Sequence, residues 1–105
     1  MIRVVVFYPS KPDAKFDYTY YTEKHVPLFK KRMEPFGLVR VEIDKGIAGM
    51  VPGAPPPYVT MALCVFKSLA DLQRGFANDN VQEILADIPN FTNVQPQLQI
   101  SEILE

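Results

Sequence analysis

The sequence has no tryptophan, one cysteine and one histidine, and its net charge at pH 7 is only -1. Each scarcity excludes something. With Cys64 alone, no disulfide can close within the chain, which fits a reducing compartment. His25 has no companion histidine and no cysteine cluster, so no metal site is expected. A near-neutral chain with a pI of about 5.8 lacks the basic balance of a nucleic-acid binder. No apolar run approaches the roughly 20 residues of a membrane span. The opening MIRVVVFYPS is too short in its apolar part for a signal peptide, and no basic region precedes it. A cytoplasmic chain with no membrane or nucleic-acid partner is the expectation. There is no glycine-rich phosphate loop and no dinucleotide fingerprint, so no bound cofactor is expected either.

What is present is an ordinary globular composition, 48% apolar and 22% charged, over 105 residues. That length makes one domain spanning residues 1–105. A chain this short buries only about 65% of its unfolded surface, so a partner subunit would help it. Ile2 to Tyr8, rich in valine and aromatics, reads as a strand. Asp17 can cap a helix that runs to about Glu34, where Pro35 and Gly37 stop it. Leu38 to Ile47 alternates, with Val39, Val41 and Ile43 on one side, and reads as a half-buried strand. Gly46 to Pro57 carries three glycines and four prolines and must be a loop. Tyr58 to Phe66 is apolar almost throughout and reads as a central strand. Ser68 and Asp71 resemble a capping box that starts a second helix, with a break near Asn78-Asp79-Asn80 and an end at Pro89. A last strand runs from about Gln95 to Ile103.

The order is βαββαβ, the ferredoxin-like α+β sandwich with a four-stranded antiparallel sheet. The first and third strands are apolar on both faces, as central strands are; the second and fourth alternate, as edge strands do. Two helices cover only one face of such a sheet. The other keeps an apolar centre, and packing two sheets face to face would hide it, so a homodimer is expected.

His25 is the main candidate for chemistry. On a regular helix Tyr18, Tyr21, Leu28 and Phe29 all lie within about 60° of it. An imidazole there can act as acid or base near neutral pH; a core histidine bonded to a carbonyl is the competing reading. Pro27 removes a helical donor and disfavours a helical Val26, so a kink or restart just after His25 is expected. Tyr8 ends the first strand and could orient a substrate oxygen, and Tyr21 is the tyrosine favoured for a pocket. Asp87 closes the second helix, where a carboxylate opposes the helix dipole; that hints at a local partner, and a second catalytic group is one option. Lys30, Lys31 and Arg32 complement the dipole of the first helix, and Cys64 reads as a buried structural thiol.

The segment FDYTYYTEKHVPL, residues 16–28, resembles the first-helix motif of the EthD family. The segment ADIPNFTNVQP, residues 86–96, resembles that family's C-terminal motif, and the opening Val-Phe-Tyr-Pro also fits. The resemblance covers the whole chain. It implies a dimeric α+β barrel with a pocket between helices and sheet in each subunit. His25 matches the family's histidine. The expected site has His25 and Asp87 as catalytic groups and Tyr8, Tyr21, Phe29 and Phe91 around the ligand. Related barrels include cofactor-free monooxygenases, isomerases, decarboxylases and dehydratases. Acid–base chemistry on a small hydrophobic, oxygenated metabolite is therefore one expectation. A non-catalytic accessory protein for an oxygenase of ether or aromatic degradation is the other. An RNA-recognition domain shares the βαββαβ order, but the basic-aromatic third strand it would need is missing.

Overall fold

A computed structural model describes residues 1–105, the side chain of Asn78 excepted. The chain runs β1 (Ile2–Pro9), α1 (Tyr18–Tyr20), a widened turn (Tyr21–His25), α2 (Val26–Met33), β2 (Leu38–Lys45), β3 (Tyr58–Phe66), α3 (Leu69–Gly75), α4 (Asn78–Asp87) and β4 (Gln97–Glu102). The strands form one antiparallel sheet in the order β2-β3-β1-β4. This is the expected ferredoxin-like α+β fold, with the two doubly apolar strands in the middle.

The helices cover one face. Val4 of β1 and Ala62, Cys64 and Phe66 of β3 pack there against Phe29, Met33, Leu72, Val81 and Ile84. Met33 and Phe66 are fully buried. On the open face the register sets Val5 beside Leu63 and Phe7 beside Met61. Arg40, Glu42 and Asp44 flank them on β2, and Gln97, Gln99 and Ser101 on β4. An apolar centre between polar rims is the pattern the sequence implied. The apolar strand side chains left most exposed are elsewhere: Leu98 is 50% and Ile100 53% exposed. Both belong to the helix side, opposite Val6 and Val4. The helices do not reach far enough across the sheet to cover them.

Four local expectations need correction. Val39 does not share a face with Val41 and Ile43. A bulge between Leu38 and Arg40 makes it the extra residue, and it is exposed. The second-helix break falls at Phe76 and Ala77, ahead of Asn78-Asp79-Asn80. Asn80 lies inside α4, and its amide donates to the carbonyls of Gly75 and Arg32, so it ties the end of α3 to the end of α2. β4 begins at Gln97, past Pro96. Val26 is helical, with φ -63° and ψ -44°, despite the proline after it.

Caps fix the helix starts. The Asp17 carboxylate accepts the Tyr20 N–H at 3.0 Å, and the Ser68 hydroxyl accepts that of Asp71 at 3.1 Å. The loop of residues 46–57 is tied down at its base, where Ser10 donates from its N–H to the Pro57 carbonyl and from its hydroxyl to that of Pro56. Its tip presents Ile47, Met50 and Val51 to solvent.

Gly37 ends the first helical segment with φ +80°, and a Cβ there would stand 2.6 Å from Asp71 Oδ2. Gly37→Ala should therefore lower the free energy of unfolding by at least the left-handed cost of about 1–2 kcal/mol. Urea denaturation measures it, and an unchanged midpoint would contradict this account of the helix end.

Candidate active site

The site begins with a defect that Pro27 imposes. A proline lacks the N–H that would bond four residues back, and its ring crowds that carbonyl. The chain answers by widening, and α2 starts at Val26, just after His25, as expected. The Val26 N–H donates to Tyr21 O, five residues back, and helical angles continue into α2. On a regular helix residues five apart diverge by about 140°. The widened turn narrows that angle, so that Tyr20 and His25 both reach one carboxylate.

That carboxylate is Asp87, the last residue of α4. His25 Nδ1 lies 2.9 Å from Asp87 Oδ2. The Tyr20 hydroxyl donates to Asp87 Oδ1 at 2.5 Å, and the Asn90 amide donates to the same oxygen at 2.9 Å. A carboxylate can only accept, so Nδ1 carries the proton and Nε2 is the basic nitrogen of the neutral ring. Tyr21 stacks on the imidazole, its centroid at 5.5 Å and its plane at 16°, and Phe91 packs on it at 4.5 Å.

Burial pushes the His25 pKa below its ordinary 6.5, and the hydrogen bond and charge of Asp87 offset only part of this. Burial alone would raise the Asp87 carboxyl. The hydrogen bonds from Tyr20, Asn90 and His25 outweigh it and hold the group below its ordinary 3.8. The Tyr20 phenol is raised, first because it donates to that carboxylate. At neutral pH the site thus holds a neutral imidazole and an ionised Asp87.

His25 borders a cavity of about 60 Å³ between helices and sheet. Val6, Ala62 and Cys64 wall it from the sheet, Phe29 and Ile84 from the helices, and Pro96 and Leu98 at the β4 side. Tyr8 and Tyr21 also line it; burial raises both phenols, so they stay protonated. Burial likewise pushes the Cys64 thiol up to about 12, which leaves it unreactive.

Of the residues singled out from sequence, His25, Tyr8, Tyr21 and Phe29 share this wall. Asp87 joins His25 from behind. Phe91 is not on the wall: it backs the imidazole and packs on Tyr8, Tyr21 and Phe16. Tyr18, expected in the same stripe, instead donates to Val59 O at 2.8 Å and meets Thr60 Oγ1 at 2.7 Å, away from His25. No residue of the 46–57 loop lines the cavity. Tyr20 and Asn90 were missed as partners of Asp87. The one signal in the sequence was their spacing, five residues before His25 and three after Asp87. Among the described residues, no three His, Cys, Asp or Glu side chains gather as a metal would require.

The same two segments clasp each other beyond the imidazole. The Asp17 N–H donates to Phe91 O at 2.8 Å, and the Thr92 hydroxyl to Lys15 O at 2.6 Å. Residues 11–95 match the EthD domain model. The chain belongs to the EthD family. An EthD-like protein from Ralstonia eutropha is 36% identical and superposes with a TM-score of 0.91, over 99% of this chain and 92% of its own. An uncharacterised 11.0 kDa protein from the thcB–thcC intergenic region of Rhodococcus erythropolis is 32% identical, over 89% of this chain and 85% of its own. An EthD-family protein from Bacillus halodurans, 20% identical, shares the fold with a TM-score of 0.74, over 99% of each chain.

The roles given to this EthD carboxylate have a measurable sign. Asp87 raises the imidazole pKa against burial, so Asp87→Asn should lower it further. One histidine gives one set of imidazole resonances, and an NMR pH titration reads them directly. An unchanged or raised pKa would show that the pair is not coupled. For the wild type, the unfolded state takes up a proton at His25 more readily than the folded one. Stability should fall as pH drops below 6.5 towards the lowered folded value, and again below 3.8 as Asp87 is forced to protonate.

Proposed function

We propose that this EthD-family protein is a small enzyme that moves protons on a hydrophobic, oxygen-bearing metabolite, with His25 as general acid and base. The observation that carries this reading is the 2.9 Å pairing of His25 Nδ1 with Asp87 Oδ2 beside an apolar cavity. The pairing leaves Nε2 as the base. Nε2 takes a proton from a carbon next to a substrate carbonyl, and Asp87 stabilises the imidazolium that results. Returning the proton to another atom of the substrate gives an isomerisation; giving it to a departing hydroxyl gives a dehydration. In a decarboxylation Nε2 takes the proton of the substrate's carboxyl group instead, carbon dioxide leaves its bonding electron pair on the carbon, and the imidazolium returns that proton there. None of these steps needs an oxidant or a bound cofactor. Tyr8 and Tyr21, kept protonated by burial, are donors suited to the carbonyl oxygen as it gains charge. Phe29 and its aliphatic neighbours suit the apolar body.

The working unit in this reading is a homodimer with open sheet faces packed together. Half-buried Phe7, Met61 and Leu63 between polar rims support it. The dominance of apolar groups on the cavity wall favours a second reading, a carrier of the same metabolite for a partner oxygenase. Substitution of His25 separates the two. With a substrate found by screening oxygenated hydrophobic compounds, His25→Ala should keep ligand affinity and lose about 10²–10⁴ in turnover. The acid limb of kcat/KM should lie below pH 6.5, because the folded imidazole titrates there. Ligand binding without turnover in the wild type would leave the carrier, and turnover indifferent to His25→Ala would remove His25 as the acid and base.

A further inference from the structure

The cavity beside His25 is too small for a whole metabolite. Its volume of about 60 Å³ compares with about 300–1,000 Å³ for ordinary small-molecule sites. Most of a substrate must therefore extend beyond it. The cavity wall ends at β4, where Leu98 is half exposed. On the other side of Leu98 a second apolar depression begins, between α3 and β4. Phe76 and Leu98 line both spaces. Val4, Leu72, Gln73 and Ile100 complete the second one, and none of them is charged. Leu98 and Ile100 point to the same side of the sheet, opposite Val6 and Val4, and are about 7 Å apart along the strand.

We propose that this groove is a tail subsite. The substrate of the His25 site is an amphiphile whose oxygenated head enters the cavity and whose unbranched apolar tail lies along Leu98 and Ile100, against Phe76 and Leu72. The inference rests on the reading of His25 as the reacting centre and adds the substrate class to it. Two half-exposed aliphatic side chains in a row, uncovered by either helix, are the surface such a tail removes from water. The shared residues favour the substrate over a protein segment as the occupant. A segment seated in the groove would also cover Leu98 and Phe76, which the cavity shares.

The test is a homologous series, butan-1-ol to octan-1-ol, titrated into the full chain and followed at the His25 imidazole resonances. In the wild type, Kd should fall about fourfold with each added methylene until the groove is filled. In Ile100→Lys, butan-1-ol should keep its Kd and its imidazole shift, while the gain from longer chains disappears. Ile100 is already half exposed, so this variant should melt as the wild type does. A Kd that stays flat beyond butan-1-ol, with the imidazole still responding, overturns the tail subsite and leaves the His25 site standing. No imidazole response to any alcohol removes both. A changed oligomeric state of Ile100→Lys in sedimentation would make the groove a contact between copies and also overturn the proposal.

Discussion

The carboxylate of Asp87 is where the two ends of the fold are joined. It closes α4 and accepts hydrogen bonds from His25 and Tyr20 of the first helical segment and from Asn90 just beyond α4. A carboxylate at a helix C-terminus faces the negative end of the helix dipole, so it needs donors of its own. Two of them, His25 and Tyr20, come from a segment more than 60 residues earlier in the chain. Satisfying Asp87 therefore orients the imidazole and ties the first helical segment to the end of α4. The neighbouring clasp of Phe16 on Thr92 and Asp17 on Phe91 repeats that join in the backbone. The two EthD motifs are thus halves of one structural unit.

Around this join the packing divides into two parts. Beneath α2, α3 and α4 lies an aliphatic core centred on Met33, Cys64 and Phe66. Around Tyr8, Tyr21, Phe91 and Val94 lies an aromatic one. His25 stands at the aromatic side of the cavity, so its charged form is costly while its Nδ1 partner is secured. A neutral imidazole with one defined tautomer is the consequence. The same sparse coverage of the sheet by the helices leaves Leu98, which lines the cavity, and Ile100 half exposed on β4.

Much of this was legible in residue order. The period-two patterns placed β1 and β3 in the sheet centre, and the glycine and proline positions set most boundaries. His25 and Asp87 could each be singled out, one as the lone histidine on an apolar stripe and the other as a carboxylate in an unfavourable place. Their pairing was not legible, because a contact across 62 residues depends on how the helices cross. Tyr20 and Asn90 were hidden for the same reason. The regular wheel also misled. It assigned Tyr18 to the His25 stripe, whereas the turn widened by Pro27 shifts the phase before it. Val39 departed from its face because a bulge adds one residue to the strand, and every side chain beyond then changes side.

The sequence by itself determined the element order, the central and edge strands, the caps at Asp17 and Ser68, and the family. These depend on local periodicity and on backbone preferences that each segment carries with it. Only the tertiary structure decided that the turn ahead of the proline widens. Only it decided which carboxylate meets the imidazole, that Phe91 backs the ring and does not line the cavity, and that β4 is left bare. Those outcomes follow from close packing between distant segments, where positions of a few tenths of an ångström select one partner over another.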